Sequence, residues 1–170
     1  MRTLTIAVKS QLDFSLDMLN DVIINCPDDL WKRVDDDVFP YWQQIYHTLY
    51  WADYNIQESF NGKRAFCWKT SKDITHELEE NELNCSDFLT KEELKDYFQA
   101  FLIKKDSFFK RLDDEALKNE IPYRNDGLTW FDILINQIRH IMYHVGYCDS
   151  LLKNNGCYSI EWVSIFGKLE

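Results

Sequence analysis

The chain has 170 residues, of which 45% are apolar and 28% are charged, with only five glycines and three prolines. This length suits one domain with a substantial core, so we predict that residues 1–170 form a single domain. The formal charge of −10 argues against a nucleic-acid partner, because a phosphate backbone requires a concentrated basic surface. No apolar run reaches the roughly 18 residues of a membrane span, and no signal-peptide core opens the chain. The sequence therefore predicts a cytoplasmic protein without membrane contact.

Long stretches without glycine or proline favour an all-α fold. The first helix is predicted at residues 5–25, because large aliphatic side chains recur at helical steps from Leu12 to Ile23. Pro27 ends this helix, since proline cannot continue the hydrogen-bond ladder. Residues 28–31 are predicted to form a short helical turn.

The second helix is predicted at residues 38–59, with the acidic residues 35–37 at its start and Pro40 in its first turn. Residues 60–89 show no sustained period, and we interpret them as a long connection that could act as a lid. The sequence alone leaves that role open.

The third helix starts at a capping box, in which Thr90 is the N-cap and Glu93 reaches back to it. It is predicted to fade near Leu117. The fourth helix is predicted at residues 129–153, closed by an Asn-Asn-Gly run. The remaining residues, 157–170, are expected to pack on the helices or on a second subunit.

Five cysteines support the cytoplasmic assignment, because their number is odd, their spacing is irregular and no CxxC occurs. We expect most of them to be reduced, small core residues. They are Cys26, Cys67, Cys85, Cys148 and Cys157.

Three of the four histidines form a pattern with chemical meaning. His140 and His144 are one helical turn apart on the apolar side of the fourth helix, so both rings project from one face. His47 lies in the aromatic-rich second helix, on a face that also looks internal. A single divalent ion could bind all three rings, whereas three separately buried rings would each need their own partners. The pattern therefore predicts a metal site at these three residues.

Other interpretations of these residues remain open. Each ring could be a neutral core histidine with its own hydrogen-bond partner, in a metal-free helical protein. Cys148 continues the four-residue series, but it is rotated about 80° from His140, so we interpret it as a core thiol. His76 falls in the polar connection and is interpreted as a surface residue.

Three imidazoles leave at least one coordination position open, as in catalytic zinc sites. Imidazole binds zinc, nickel, copper and iron, so the ligand type alone does not identify the ion. Gln43, Gln44 and Gln137 are candidates for orienting a ring, although they could also be ordinary polar residues. Metal affinity is expected to fall as the pH drops through about 6 to 6.5, where free imidazole gains a proton.

At these residues the chain resembles the DinB-like superfamily of helical metalloproteins. The resemblance rests on His47 within the run from Gln44 to Asp53, on the approach Pro40-Tyr-Trp, and on the His140-x-x-x-His144 pair followed by Gly-Tyr and Leu-Leu. It extends over most of residues 1–155. The order and spacing of these elements carry it, because each motif alone is common.

The resemblance implies a four-helix bundle with a long connection between helices 2 and 3. It also implies that the three histidines bind a divalent metal, often in a homodimer. Some relatives are transferases or isomerases that use low-molecular-weight thiols such as bacillithiol or mycothiol. Two hypotheses follow. The first is a metal-dependent thiol S-transferase or hydrolase that holds zinc or nickel at the three histidines and acts on a small thiol and an electrophile. The second is a non-catalytic metal-binding or stress-associated interaction module. No residue is assigned a catalytic role.

Overall fold

The computed structural model describes residues 3–33, 39–57, 65–78, 87–121, 126–164 and 167–168, and it is built from helices. In these ranges the chain forms five α-helices, a short 3-10 helix and two short strands that pair antiparallel. The predicted all-α class is confirmed, with a minimal hairpin as the only addition in the described ranges. The elements are α1 (Leu4–Asn25), α2 (Asp28–Trp31), α3 (Tyr41–Asn55), α4 (Lys91–Phe109), the 3-10 helix (Ala116–Lys118), α5 (Trp130–Asn154), β1 (Val163–Ser164) and β2 (Gly167–Lys168).

Threonine caps start three of the long helices. The Thr3 side chain accepts a hydrogen bond from the backbone of Ile6 at the start of α1. The predicted capping box of Thr90 and Glu93 is present at α4. A second box, formed by Thr129 and an aspartate three residues later, starts α5. Each cap satisfies amide groups that the helix itself leaves without a partner. The observed ends of α1 and α5 lie within one residue of the predicted ones.

Helix α3 is shorter than predicted, since it begins at Tyr41 after Pro40 and is already interrupted at Ile56. The side chain of Gln57 explains its end. Its amide nitrogen donates to the Asp53 carbonyl at 3.0 Å, and its oxygen accepts from the backbone of Ala65 at 3.1 Å. These two bonds tie Ala65 to the end of α3 through the side chain of Gln57. Residues 34–38, 58–64 and 79–86 lie outside the described ranges, as do the predicted acidic start of this helix and much of the proposed lid.

Helix α4 also ends earlier than predicted, at Phe109. Two aspartates stabilise the turn that follows. Asp113 accepts from the amides of Glu115 and Ala116, which starts the 3-10 helix. Asp114 accepts from the backbone of Thr5 at 2.8 Å and from its hydroxyl at 2.7 Å. A continuous helix to residue 117 would not place Asp114 at the start of α1.

The four long helices pack in a closed ring, in which α1 and α3 each contact both α4 and α5. The predicted stripe of α1 is fully internal, because Leu12, Leu16, Leu19 and Ile23 are no more than 1% exposed. No helix in the described ranges is both long and apolar enough to span a membrane. The ring places the α3 and α5 faces that carry the histidines directly against each other.

The tail after α5 packs on the chain's own helices, which is one of the two expected outcomes. Gly156 adopts a left-handed φ of +68° directly after α5, where a side chain would be strained. Strand β1 then contacts α1, and Cys157 and Ile160 pack against the core. Tyr158 and Trp162 stay more than half exposed. Residues 165–166 and 169–170 lie outside the described ranges.

Candidate metal centre

The structure brings the three predicted histidines together. His47 comes from α3, and His140 and His144 come from successive turns of α5. Their ligand nitrogens all lie within 4.8 Å of one another, an arrangement that could hold a metal ion. The Nε2 atom of His140 lies 3.2 Å from the Nε2 atom of His47 and 3.2 Å from that of His144. Two nitrogens bound to one tetrahedral zinc ion at about 2.05 Å would be about 3.3 Å apart, so the two separations from His140 fit a shared ion. The remaining pair, His47 and His144, lies within the 4.8 Å limit, so binding an ion would bring these two nitrogens closer together.

Hydrogen bonds on the far side of two rings determine which nitrogen faces the centre. The Nδ1 of His47 donates to the backbone carbonyl of His76 at 2.7 Å. The Nδ1 of His144 donates to the side-chain oxygen of Gln44 at 2.8 Å. Carbonyl oxygens only accept, so in both neutral rings the proton lies on Nδ1. The Nε2 lone pairs of these two histidines are therefore free for a metal.

The third ring, His140, has a looser partner. The amide nitrogen of Gln137 lies 3.4 Å from its Nδ1, and the oxygen of the same amide accepts from Asn55 at 2.9 Å. A half-turn of the Gln137 amide would present its oxygen to a protonated Nδ1. Gln137 can thus serve either protonation pattern of His140.

Burial keeps the rings uncharged. Burial, together with the smaller effect of the neighbouring histidines, lowers the pKa of His144 to about 3 and that of His140 to about 4. Burial also lowers the pKa of His47, against the opposing effect of its bond to His76. Neutral imidazole is the form that binds metals, so the cluster is ready to bind one at neutral pH.

Two of the three histidines are partly exposed to solvent. His144 is buried, with 4% of its surface exposed, whereas His47 and His140 are only half-buried. The ring of Tyr143, which is 70% exposed, packs edge-on against His144 with centroids 5.1 Å apart. Trp51 packs against His47 in a similar way at 6.4 Å. A small ligand could therefore approach along the two half-buried rings.

The three glutamines predicted as ring partners divide into two groups. Gln44 and Gln137 contact histidine rings directly, as described above. Gln43 does not, since its amide donates to the backbone carbonyl of Glu77 at 3.0 Å. It holds residues 65–78, called the 65–78 segment below, against α3. That segment carries the His76 carbonyl, so Gln43 acts on His47 through the chain.

The remaining histidine has a place that the sequence did not predict. The ring of His76 stacks on Tyr50 with centroids 3.5 Å apart, and its Nε2 lies 3.0 Å from Glu77. Its backbone carbonyl acts on the centre indirectly, by accepting from the Nδ1 of His47. A backbone carbonyl has no residue-type pattern, so no sequence signal could have found this partner.

The described cysteines stay outside the metal cluster. Cys148 is fully buried, and burial raises its pKa well above the usual range, which fits the predicted core thiol. Cys26 is also buried, whereas Cys67 and Cys157 are half-buried, and all four are free thiols. Cys85 lies outside the described ranges.

A second buried polar cluster, absent from the sequence predictions, surrounds Asp53 near the end of α3. Asp53 is fully buried and pairs with Lys104 of α4. Its other oxygen accepts from the Tyr97 hydroxyl at 3.1 Å and from the backbone of Cys67 at 2.9 Å. Lys104 also donates to the Ala65 carbonyl at 3.1 Å. The available sequence signal for this cluster was one acidic residue, Asp53, inside the aromatic run of α3. Its partners come from distant parts of the sequence.

Comparison with known proteins supports the fold. No family model and no curated protein matches the chain. Among solved structures, it is similar to a conserved protein of Enterococcus faecalis, with a TM-score of 0.69 and 18% identity. The match covers 91% of this chain and 99% of that one. The likeness shows the fold alone, so fold and site together define a helical protein with a three-histidine cluster that could hold a metal ion.

Proposed function

We propose that this protein is a DinB-like four-helix bundle that binds a divalent metal ion at His47, His140 and His144. The observation that carries the proposal is the convergence of three Nε2 atoms, two of them 3.2 Å from the third. The structural match to a helical protein along nearly the whole chain is consistent with it.

The donor set fits a metal better than it fits a hydrogen-bonded core. Neutral His47 and His144 both direct a lone pair at the centre, because their protons lie on the opposite nitrogens. His140 has one proton to share between two acceptors at equal distance, so at least one acceptor stays unpaired. A buried acceptor without a partner is costly, and a cation would satisfy all three.

Zinc or nickel is the proposed ion, because three imidazoles suit both metals. Three protein ligands leave a position open for an exogenous ligand. The ion would supply Lewis acidity, which lowers the pKa of a thiol or a water at that position. The chain holds the three nitrogens in place through Gln44, Gln137 and the His76 carbonyl.

For the reaction, we propose transfer of a low-molecular-weight thiol to an electrophile. The support is the partial exposure of His47 and His140, which lets a small molecule reach the centre, together with the DinB-like arrangement of the histidines. The thiol would lose its proton to solvent, and its sulfur would form a bond to the electrophilic carbon as the leaving group departs with its electron pair. A hydrolase would use the same centre with water in place of the thiol.

Metal analysis of protein purified without a nickel column tests the site. We expect about one equivalent of zinc or nickel in the wild type and almost none in a His140→Ala variant. Turnover of a generic electrophile with a panel of thiols then tests the reaction. Equal rates in the two proteins would remove the transferase proposal and leave the non-catalytic metal-binding module.

The expected homodimer is a separate part of the proposal. Light scattering on purified protein measures it directly, and a monomer at all concentrations would exclude it.

The structure moves the expected pH dependence to lower values. Free imidazole gains a proton near pH 6.5, but burial lowers the pKa of His140 to about 4 and that of His144 to about 3. Protons therefore compete with the metal only in more acidic solution. Burial lowers the pKa of His47 as well, so the loss of affinity is expected to set in at a lower pH than the range of about 6 to 6.5 where free imidazole gains a proton.

A further inference from the structure

A cleft of about 220 Å³ opens on the side of α3 and α4, and none of its lining residues is a proposed metal ligand. Its lining is dominated by aromatic rings, with one lysine and one threonine beside them. We call it the aromatic cleft, and its lining residues are Tyr46, Tyr50, Phe66, Trp68, Lys69, Thr70 and Tyr97.

Two stacked ring pairs shape the aromatic cleft. Trp68 lies on Tyr97 with centroids 4.9 Å apart and planes inclined by 15°. Phe66 lies on Tyr50 with centroids 4.8 Å apart and planes inclined by 28°. Tyr46 connects the pairs, 6.2 Å from Tyr50 and 6.3 Å from Tyr97. Flat walls of this kind favour a planar ligand, because ring faces make their closest contacts with other flat surfaces.

The walls are fixed before any ligand arrives. Cys67, between Phe66 and Trp68 in the chain, is held by Asp53 through its backbone amide at 2.9 Å and its thiol at 3.3 Å. The same carboxylate accepts from the Tyr97 hydroxyl at 3.1 Å. The Asp53 carboxylate thus anchors Tyr97 directly and Trp68 through its chain neighbour Cys67. A preformed cleft binds more tightly than one that must order on binding.

Tyr46 supplies an unused hydrogen-bonding group. Its side chain is only 9% exposed, and its hydroxyl has no hydrogen-bond partner among the described residues. Burial raises the pKa of this phenol to about 12, so it remains a donor at neutral pH. Buried hydroxyl groups normally have partners. A ligand with an acceptor atom would satisfy this one.

Lys69 indicates that a ligand of the aromatic cleft would carry a negative charge. It is exposed and forms no ion pair or hydrogen bond with any residue in the described ranges. Among the residues that the structure describes, no acidic side chain lines the aromatic cleft. The chain as a whole carries a net charge of −10, so an anion would be favoured here rather than across the general surface.

We propose that the aromatic cleft binds a small planar aromatic carboxylate. The ring system would lie against the two stacks, with an acceptor atom near Tyr46 and the carboxylate near Lys69. The volume of about 220 Å³ is below the roughly 300 Å³ of a typical drug-sized pocket, so the ligand is limited to about one fused bicyclic system.

Calorimetric titration of the full chain with 2-naphthoate tests this proposal. We expect one-site binding with a dissociation constant of about 1 mM or lower, as ligand size allows. The protein is treated with EDTA first, because a carboxylate could also bind a metal at the histidines. Saturable binding without metal supports the aromatic cleft. No saturable binding, or binding only with added zinc, overturns the proposal.

Three variants locate the ligand. Trp68→Ala is expected to weaken binding at least 10-fold through the lost stacking partner. Tyr46→Phe should weaken it about fivefold while folding normally, since it removes only an unpaired hydroxyl. Lys69→Gln should weaken 2-naphthoate about threefold and leave the neutral analogue 2-naphthalenemethanol unaffected.

Tyr143→Phe and Lys110→Gln are the matched controls, because both residues lie outside the aromatic cleft. They are expected to bind 2-naphthoate like the wild type. Circular dichroism checks that each variant is folded. Wild-type affinity in both Tyr46→Phe and Lys69→Gln would place the ligand elsewhere and overturn the proposal.

Discussion

Helix α3 contributes to two buried polar clusters that are balanced in different ways. Around Asp53, a carboxylate meets the Lys104 ammonium, a phenol and two groups of Cys67, so donors and acceptors compensate each other. Around His47, three neutral rings direct Nε2 atoms at one point, and acceptors outnumber protons. The first cluster is complete within the protein. In the second, at least one acceptor has no proton from the described residues, and a cation could complete it.

This difference in balance distinguishes a structural cluster from a candidate binding site. A compensated pair holds segments together, and Asp53 indeed joins α3, α4 and the 65–78 segment. An uncompensated set of lone pairs costs stability unless something binds to it. The two clusters should therefore respond in opposite ways to substitution: the first should lose stability, and the second should lose a ligand.

The largest effect is expected at the compensated cluster. Asp53→Asn removes the charge that balances Lys104, whose side chain is only 10% exposed. An unbalanced buried charge costs about 3 to 5 kcal/mol of unfolding free energy. Denaturant unfolding of the metal-free protein measures the loss.

The control for that variant is Asp28→Asn, which breaks the ion pair between Lys91 and a 96% exposed aspartate side chain. It should change stability far less. Adding Lys104→Met to Asp53→Asn should restore part of the loss. If Asp28→Asn and Asp53→Asn were equally destabilising, the Asp53 cluster would not hold the fold together.

The next largest effect is expected at the uncompensated cluster. His144→Gln removes one of three ligands and should lower zinc affinity at least 100-fold, about 3 kcal/mol. Helical content should remain, because the apolar stripes hold the helices together. Competition with a chromophoric chelator measures affinity, and circular dichroism measures helicity.

His76→Gln is the matched control, because its ring lies outside the metal cluster while its backbone carbonyl remains available to His47. We expect an affinity change below threefold. Loss of zinc in His76→Gln equal to that in His144→Gln would contradict the assignment of ligands. Global unfolding of His144→Gln would instead indicate that the centre is structural.

A smaller effect separates the two adjacent glutamines. Gln44→Leu removes the acceptor for His144 and should lower zinc affinity about 10-fold, as partners of metal-binding histidines do. Gln43→Leu releases only the Glu77 carbonyl and should lower affinity about twofold. The same chelator titration measures both. The reverse order would mean that the 65–78 segment, rather than Gln44, controls the centre.

The helices and the histidine cluster could be predicted because both depend on local spacing. The cap residues Thr90 and Thr129 mark helix starts, and the pair His140 and His144 shares a face in any α-helix. Placing His47 opposite them needed only the expectation that amphipathic helices pack through their apolar sides. These features follow from residue types a few positions apart.

The rest could not be predicted, because it depends on contacts between distant residues or on the backbone. Asp53 and Lys104 are separated by 51 positions, and nothing near either one indicates its partner. The end of α3 depends on Gln57 reaching Ala65, a contact that exists only once the chain has turned. Predicted helix ends failed where tertiary contacts override the local pattern.

The smallest expected effect concerns acid and the metal-free protein. Burial lowers the pKa of His144 to about 3 in the folded chain, against about 6.5 when unfolded. Between these values the unfolded chain binds more protons, so unfolding free energy falls as the pH drops below 6.5. His144 alone should contribute about 1 kcal/mol of loss between pH 6.5 and 5.5.

Denaturant midpoints of metal-free wild type and His144→Gln at pH 6.5 and 5.5 measure that contribution, and carboxylates interfere little because most titrate at lower pH. The variant should lose less stability than the wild type over this interval, since one buried ring has been removed. Saturating zinc should suppress the wild-type loss, because protonation must then displace the metal. An identical loss in both metal-free proteins would mean that His144 is protonated as easily in the folded chain as in the unfolded one. Burial would then not keep its ring neutral, as the proposed metal binding requires.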